Sequence, residues 1–415
     1  MNTFSNKINS DESLTLSVPV THSDWMLRTA LPAGPQSVHY MLDQCKASGW
    51  TRVYWRLFNG GLAIYHSQLA DIATGWEADS YWSPANPDDL QHVYWKDDPL
   101  VDEARRQHIA SHLSTLCYAD YDPLAEAISY GHSIGLEIHA WFTLNEDDHG
   151  WGLRSRFTKA NPQSRWRKRD GTVYHSQQSF AFPEVQEYKL AQIEELLKKY
   201  DIDGLFLDWM RTGDVRDDPQ NDADGVANFG YEKPLVKSFE EEYGIDPHSL
   251  PNGDERWVAW RAQPQTEFMR KARKLMKSLK PELPLAVMGQ HPWSYRGAGH
   301  KIDGNLRGLL LDTATWAEEG LMDSIVAAGY YRDGGTAQQA YEWLRSETQG
   351  LVNIWLYGWV PDTPEQFDGE MALARQLGAS QILFWEADYI DAKQEKAVLQ
   401  QHMRNAVTGG APVGG

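Results

Sequence analysis

The chain has almost no cysteine: Cys45 and Cys117 are the only two in 415 residues. Two cysteines so far apart supply neither a disulfide framework nor a zinc knuckle, and buried thiols are the expected state. No run approaches the roughly 18 apolar residues of a membrane span. Residues 1–20 lack a basic stretch followed by an apolar one, so no leader is read there and the cytoplasm is the expected location. Basic charge is also scarce, with 39 Lys and Arg against 58 Asp and Glu and a formal net charge of −19. That balance argues against phosphate-backbone binding, because such a site needs a basic stripe and none stands out, so no nucleic-acid partner is expected. No HExxH, CxxC, P-loop or GxSxG pattern occurs, which removes the zinc-protease, redox, nucleotide and serine-hydrolase readings. No cofactor is therefore expected.

What the chain has in excess is indole and phenol, with 18 Trp and 19 Tyr but only 12 Phe. Such rings combine a flat apolar face with a polar handle. Sugars stack their C–H faces on surfaces of that kind, so a carbohydrate site is one reading of the excess. Filling of a large core is the other.

Eight short β-rich runs recur along the chain, at 14–20, 52–58, 136–143, 204–209, 285–289, 324–330, 352–357 and 381–385. Amphipathic stretches separate most of them, including 123–134, 183–199, 255–279, 337–347 and 364–377. The runs are mostly apolar throughout rather than alternating, as strands buried on both faces are. No glycine-rich loop follows the first run, which disfavours an open nucleotide-binding sheet. An α/β (β/α)8 TIM barrel spanning residues 1–408 is the expected fold, with 409–415 a mobile tail.

Two connections, 59–121 and 211–253, far exceed the two to six residues usual for βα loops, and should stand on the C-terminal face where barrel active sites form. The first carries Trp76, Tyr81, Trp82, Tyr94 and Trp95.

Four pieces resemble glycoside hydrolase-like family 10, a group of TIM-barrel proteins distantly related to the amylase-type barrels. They are Val53-Tyr54-Trp55-Arg56, the run from Gly135 through His139-Ala140-Trp141, the run from Tyr200 through Asp203-Gly204-Leu205-Phe206-Leu207-Asp208, and the run from Trp316 to Asp323 with Gly329-Tyr330-Tyr331. The resemblance implies a barrel that cleaves glycosidic bonds with the strand-four aspartate in catalysis. The sequence departs from the pattern in the aromatic insertion after strand two and at 324–329, so no substrate is carried over.

Asp208 ends an apolar strand at the expected C-terminal rim, where a charge can be hydrated or paired. A salt bridge to Arg211 or Arg56 is the alternative to a catalytic role. Asp203, at the other end of the strand, reads as a capping or pairing residue. Glycoside hydrolysis needs a second carboxyl. After strand five, where amylase-type barrels place an acid, the chain reads Met288-Gly289-Gln290-His291-Pro292-Trp293. Glu386 beside Trp385 ranks first as the partner and Glu146 second, with Asp147, Asp148 and Asp214 behind them.

Arg56, Asn59, His139, Trp141, Arg211, Gln290, His291 and Trp293 are candidates for hydroxyl recognition. Tyr330, Tyr331, Trp355, Tyr357, Trp359 and Trp385 are candidates for ring stacking. The acidic segment 214–225 fails the EF-hand pattern, since Gln220 and Tyr231 fall where the first and twelfth ligands belong, and it reads as a solvated loop without metal. The expected partner is an oligosaccharide that the enzyme hydrolyses. A lyase, an epimerase or a sugar-binding pseudoenzyme on the same barrel stays open, because fold does not fix chemistry.

Overall fold

A computed structural model describes residues 14–21, 24–25, 31, 34–72, 121–145, 147, 155–208, 210, 221–295, 301–327, 330–331, 336–385 and 394–408, with backbone alone at 174–176, 294–295, 330–331, 394–395 and 408. Cys117, Glu146, Asp148, Arg211, Asp214, Glu386 and the residues Trp76, Tyr81, Trp82, Tyr94 and Trp95 of the first insertion lie outside the described residues.

Eight parallel strands close into a barrel in chain order. They are β1 (Thr15–Val20), β2 (Arg52–Arg56), β3 (Glu137–Thr143), β4 (Gly204–Asp208), β5 (Leu285–Gly289), β6 (Ser324–Ala327), β7 (Asn353–Trp359) and β8 (Gln381–Trp385). Closure is made by β1, which pairs with β2 on one side and β8 on the other.

The jacket includes α1 (Pro35–Ala47), α2 (Pro123–Ser133), α3 (Pro183–Lys199), α4 (Lys233–Tyr243), α5 (Glu255–Leu279), α6 (Gly304–Leu309), α7 (Thr313–Glu318), α8 (Ala337–Glu347), α9 (Pro364–Leu377) and α10 (Gln394–Thr408). Local signals set several helix ends. Asp122 accepts from the Leu124 and Ala125 amides ahead of α2, and Thr336 and Gln339 form a capping box on α8. Proline opens α1, α2, α3 and α9, where its missing N–H has no helical partner to lose.

The period of two along each strand separates two cores. Ala140 and Phe142 face the helices in the large outer cluster, whereas Trp141 between them joins Tyr54, Phe206, Ala286, Met288, Val326, Trp355, Tyr357 and Leu383 inside the barrel. Cys45 is buried in the outer cluster. Among the described residues no helix is long and apolar enough to cross a membrane.

The bottom of the barrel is polar and closed. Arg52 bridges Glu137 and Gln381, each at 2.6 Å. Gln381 in turn donates to Tyr54 Oη at 2.8 Å and to Ser17 Oγ at 2.9 Å. Hydrogen bonds to His139 and Arg52 hold the Glu137 carboxyl down at about 2.

Candidate active site

At the opposite end, β4 delivers Asp208 to the C-terminal mouth with only 2% of its surface exposed. The Trp141 indole Nε1 donates to Asp208 Oδ2 at 3.1 Å. This pairing follows from register: Thr143 is the Cα partner of Asp208, so Trp141 rises from the same row of the neighbouring strand. Two further contacts hold the ring. The Arg56 guanidinium stands 5.2 Å from its centroid, within cation–π range, and Trp385 meets it edge-on at 5.2 Å. The wall continues from Trp385 to Tyr357 at 6.3 Å and from Tyr357 to Trp359 at 5.8 Å. Trp359, 36% exposed, ends that wall at the surface, while Tyr357 is 5% exposed.

The backbone around Asp208 is tied down on the β3 side. Its carbonyl accepts from the Leu144 amide at 2.8 Å, and the buried Asn145 donates to the Met210 carbonyl at 2.9 Å. Asp147 is occupied by its own loop, accepting from the Ser155 amide at 3.0 Å and from Gln178 at 3.3 Å. Asn145 carries no catalytic motif, and only its place after β3 could have marked it.

On the β5 side, Gln290 and His291 are both fully buried. The Gln290 backbone N–H donates to Asn305 Oδ1 at 2.7 Å, and Asn305 Nδ2 donates to Glu347 Oε2 at 3.0 Å. Thr313 Oγ1 donates to the other Glu347 oxygen at 2.8 Å. Burial pushes Glu347 up to about 7 and His291 down to about 4, so the imidazole is neutral near pH 7. Trp293, half-buried, lies 5.9 Å from the His291 ring. The backbone at Ser294–Tyr295 pairs with Tyr330–Tyr331, joining the rims of β5 and β6. Asn305 and Glu347 escape a sequence reading because they are 42 residues apart with no shared pattern.

Two candidates sit lower than the sequence suggests. His139 faces the barrel interior on the row of Trp141, but one layer beneath it. It is 3% exposed, lies 3.4 Å from Glu137 Oε2 and meets the Tyr54 ring edge-on at 5.3 Å. Burial holds its imidazole below the ordinary histidine range. Trp355 packs at 5.6 Å from Tyr54 and 6.0 Å from Phe206, inside the barrel rather than at its lip. Asn59 is buried in the two-residue ribbon that follows β2, with Nδ2 lacking a hydrogen-bond partner among the described residues. Among the described residues no group of three or more His, Cys, Asp or Glu side chains could hold a metal ion.

A closed eight-stranded parallel barrel with a buried carboxylate and an aromatic wall at its C-terminal mouth defines a TIM barrel with a candidate active site where such barrels carry one. The family description Glycosyl hydrolase-like 10 matches residues 106–354, more than half of the chain, and the chain belongs to that family. Glycosyl hydrolase YngK of Bacillus subtilis (strain 168) is 28% identical over 239 residues, 54% of this chain and 41% of that protein. Glycosyl hydrolase DigH of Escherichia coli O6:H1 is 22% identical over 312 residues, 66% of this chain and 65% of that protein. The chain thus spans less than two thirds of either relative. Alpha-L-fucosidase isoenzyme 2 from Paenibacillus thiaminolyticus superposes with a TM-score of 0.56 at 14% identity, covering 95% of this chain and 49% of that one, a likeness of fold.

Proposed function

We propose that the chain hydrolyses O-glycosidic bonds of an oligosaccharide, with Asp208 as the ionised carboxylate and Glu386 or Glu146 as the acid. The observation that carries this reading is the Trp141 indole on Asp208. An indole N–H only donates and a carboxylate oxygen accepts, so the bond fixes the orientation of the Asp208 carboxyl at the mouth. A carboxylate oriented in this way suits attack on the anomeric carbon or activation of water, and leaves protonation of the departing oxygen to another carboxyl. Arg56 would orient the sugar by hydrogen bonding and the less buried rings Trp385 and Trp359 by stacking, with Trp141 and Tyr357 packed behind them. The family to which the chain belongs supports the hydrolase class.

Asp208→Asn keeps the shape and an acceptor for the indole while removing the charge. Loss of about 10²–10⁴-fold in hydrolysis, with saccharide binding retained, is the expected result. Full activity in that variant refutes the mechanism. A second reading, a sugar-binding pseudoenzyme, is favoured by Gln290 and His291 standing where an amylase-type acid would follow β5. Equal binding by wild type and Asp208→Asn with turnover by neither would support it. An unsaturated product absorbing in the near ultraviolet would indicate a lyase instead.

A further inference from the structure

The flank of the mouth beyond β7 holds a second concave site. A cavity of about 460 Å³ opens between the end of β7 and α9, lined by Trp359, Pro361, Asp362, Gln366, Glu370 and Leu373 among others. Small-ligand pockets span about 300–1,000 Å³, so the cavity is large enough for a ligand unit. Trp359 belongs both to this lining and to the aromatic wall that starts at Trp141. A chain of ring contacts therefore links the Asp208 partner Trp141 to Trp359, whose exposed face lies at the flank.

Glu370 is the unusual member. It projects from α9 toward β7, and its Oε2 is shut off from solvent with no hydrogen-bond partner among the described residues. Burial pushes this carboxyl up to about 7, so it can accept or donate near neutral pH. Glycine at 358 lets the carboxyl lie close against β7: a Cβ there would stand 3.1 Å from Glu370 Oε2. A sealed polar atom left unbonded costs roughly 1–3 kcal/mol, but Glu370 as a residue is only part-buried and lines the cavity, so its carboxyl group is the one a ligand hydroxyl would meet there. Among the described lining residues Asp362 and Glu370 are the ionisable ones, and no Lys or Arg balances them.

We propose that this cavity is a saccharide subsite for a neutral or amino-bearing sugar unit of the chain held in the mouth, stacked on Trp359 and hydrogen-bonded by Glu370. Units carrying carboxylate, sulfate or phosphate are rejected by the two carboxyl groups. The proposal rests on the carbohydrate reading of the mouth.

The test is titration calorimetry on the full chain with dimers and tetramers of glucose, N-acetylglucosamine, glucosamine and galacturonic acid, using an Asp208→Asn background to prevent turnover. At least one neutral or amino-bearing tetramer should bind more tightly than its dimer. Trp359→Ala should lower that tetramer-to-dimer ratio by about tenfold, near the upper end of what an aromatic contact contributes. Glu370→Gln, which preserves shape, and Glu370→Leu should lower it by lesser and greater amounts. The galacturonic acid tetramer should gain nothing over its dimer. An unchanged ratio in all three variants, a gain for the galacturonic acid tetramer, or no tetramer exceeding its dimer overturns the subsite. A tetramer whose binding depends on Trp359 but which protein with Asp208 intact never cleaves refutes the hydrolase reading and keeps the subsite. Cleavage with a length dependence indifferent to Trp359 and Glu370 does the reverse.

Discussion

Replacing Gly204 by alanine tests the contact that joins two of the family-like pieces at the base of the barrel. A methyl group at position 204 would overlap His139 Nδ1 and Cε1 and stand 3.0 Å from Cγ. The imidazole has little room to yield, since it is 3% exposed, bounded by Tyr54, and 3.4 Å from Glu137. Overpacking of this kind costs about 1–3 kcal/mol, and the lower entropy of an unfolded chain with alanine returns only about 0.4–1 kcal/mol. Gly204→Ala should therefore lose on the order of 1–2 kcal/mol. His139→Ala alone opens a cavity and should lose about 2–4 kcal/mol. In the double variant the new methyl group meets space instead of a ring, so its loss should fall short of the sum by about 1–2 kcal/mol. Urea unfolding of the four proteins, with m compared across them, reads this coupling directly. Losses that add to within about 0.5 kcal/mol would refute the contact.

Trp141→Phe retains a ring for Arg56 and Trp385 but deletes the donor to Asp208. A hydrogen bond to a charged group contributes about 1.5–3 kcal/mol, so kcat should fall on the order of 10- to 100-fold with a smaller change in KM; an unchanged kcat would remove the indole from the mechanism. His291 should make stability depend on pH. Its folded value, about 4, lies below the ordinary 6.5, so its contribution is complete above about pH 6.5 and is lost as pH falls toward 4. That decline is on the order of 2–3 kcal/mol, and His291→Gln should flatten it in thermal or urea unfolding across that window; an identical slope in both proteins removes His291 as its cause. Asp323→Asn weakens a bidentate pair with Arg273, at 2.9 and 2.5 Å, and the acceptor of the Leu285 amide. Because Asp323 is about a third exposed, a loss of only about 1–2 kcal/mol is expected, without change in kcat or KM. A kcat defect at unaltered stability would contradict that assignment.

The barrel was legible because its strands bury both faces and stand out as apolar runs between amphipathic ones. The expected run at 285–289 is the strand Leu285–Gly289, and the one at 352–357 extended to Trp359. Parity along a strand was legible too, since His139 and Trp141 do face the same side. Height was not. Two residues along a strand rise about 6–7 Å, enough to take His139 out of the mouth and into the polar floor. Trp355 was misplaced for the same reason, four residues before Trp359 on β7. Features joining distant elements, such as Asn305 with Glu347 or Glu370 with Gly358, leave no local pattern. In the sequence Glu370 is one more acidic residue on an amphipathic helix, and only the placement of α9 against β7 shows that its carboxyl is enclosed.

The acidic residues of the family-like pieces divide by their position along the barrel axis. Asp203 precedes β4 and accepts from the Ile138 amide at 2.7 Å, while its own amide donates to the Ile138 carbonyl at 3.0 Å. Asp323 precedes β6 and treats Leu285 in the same way, accepting and donating at 2.8 Å each. Both also reach a jacket helix, Asp203 through His132 of α2 at 2.8 Å and Asp323 through Arg273 of α5. These carboxylates fasten a strand, its neighbour and a helix at the closed end of the barrel, so their presence in a motif reflects assembly. Asp208 lies five residues beyond Asp203 on the same chain segment, and the partner it meets is an indole on the mouth wall. In a barrel of this kind the end of the strand on which a carboxylate falls separates a fastener from a candidate catalyst, and a motif containing both must be read residue by residue.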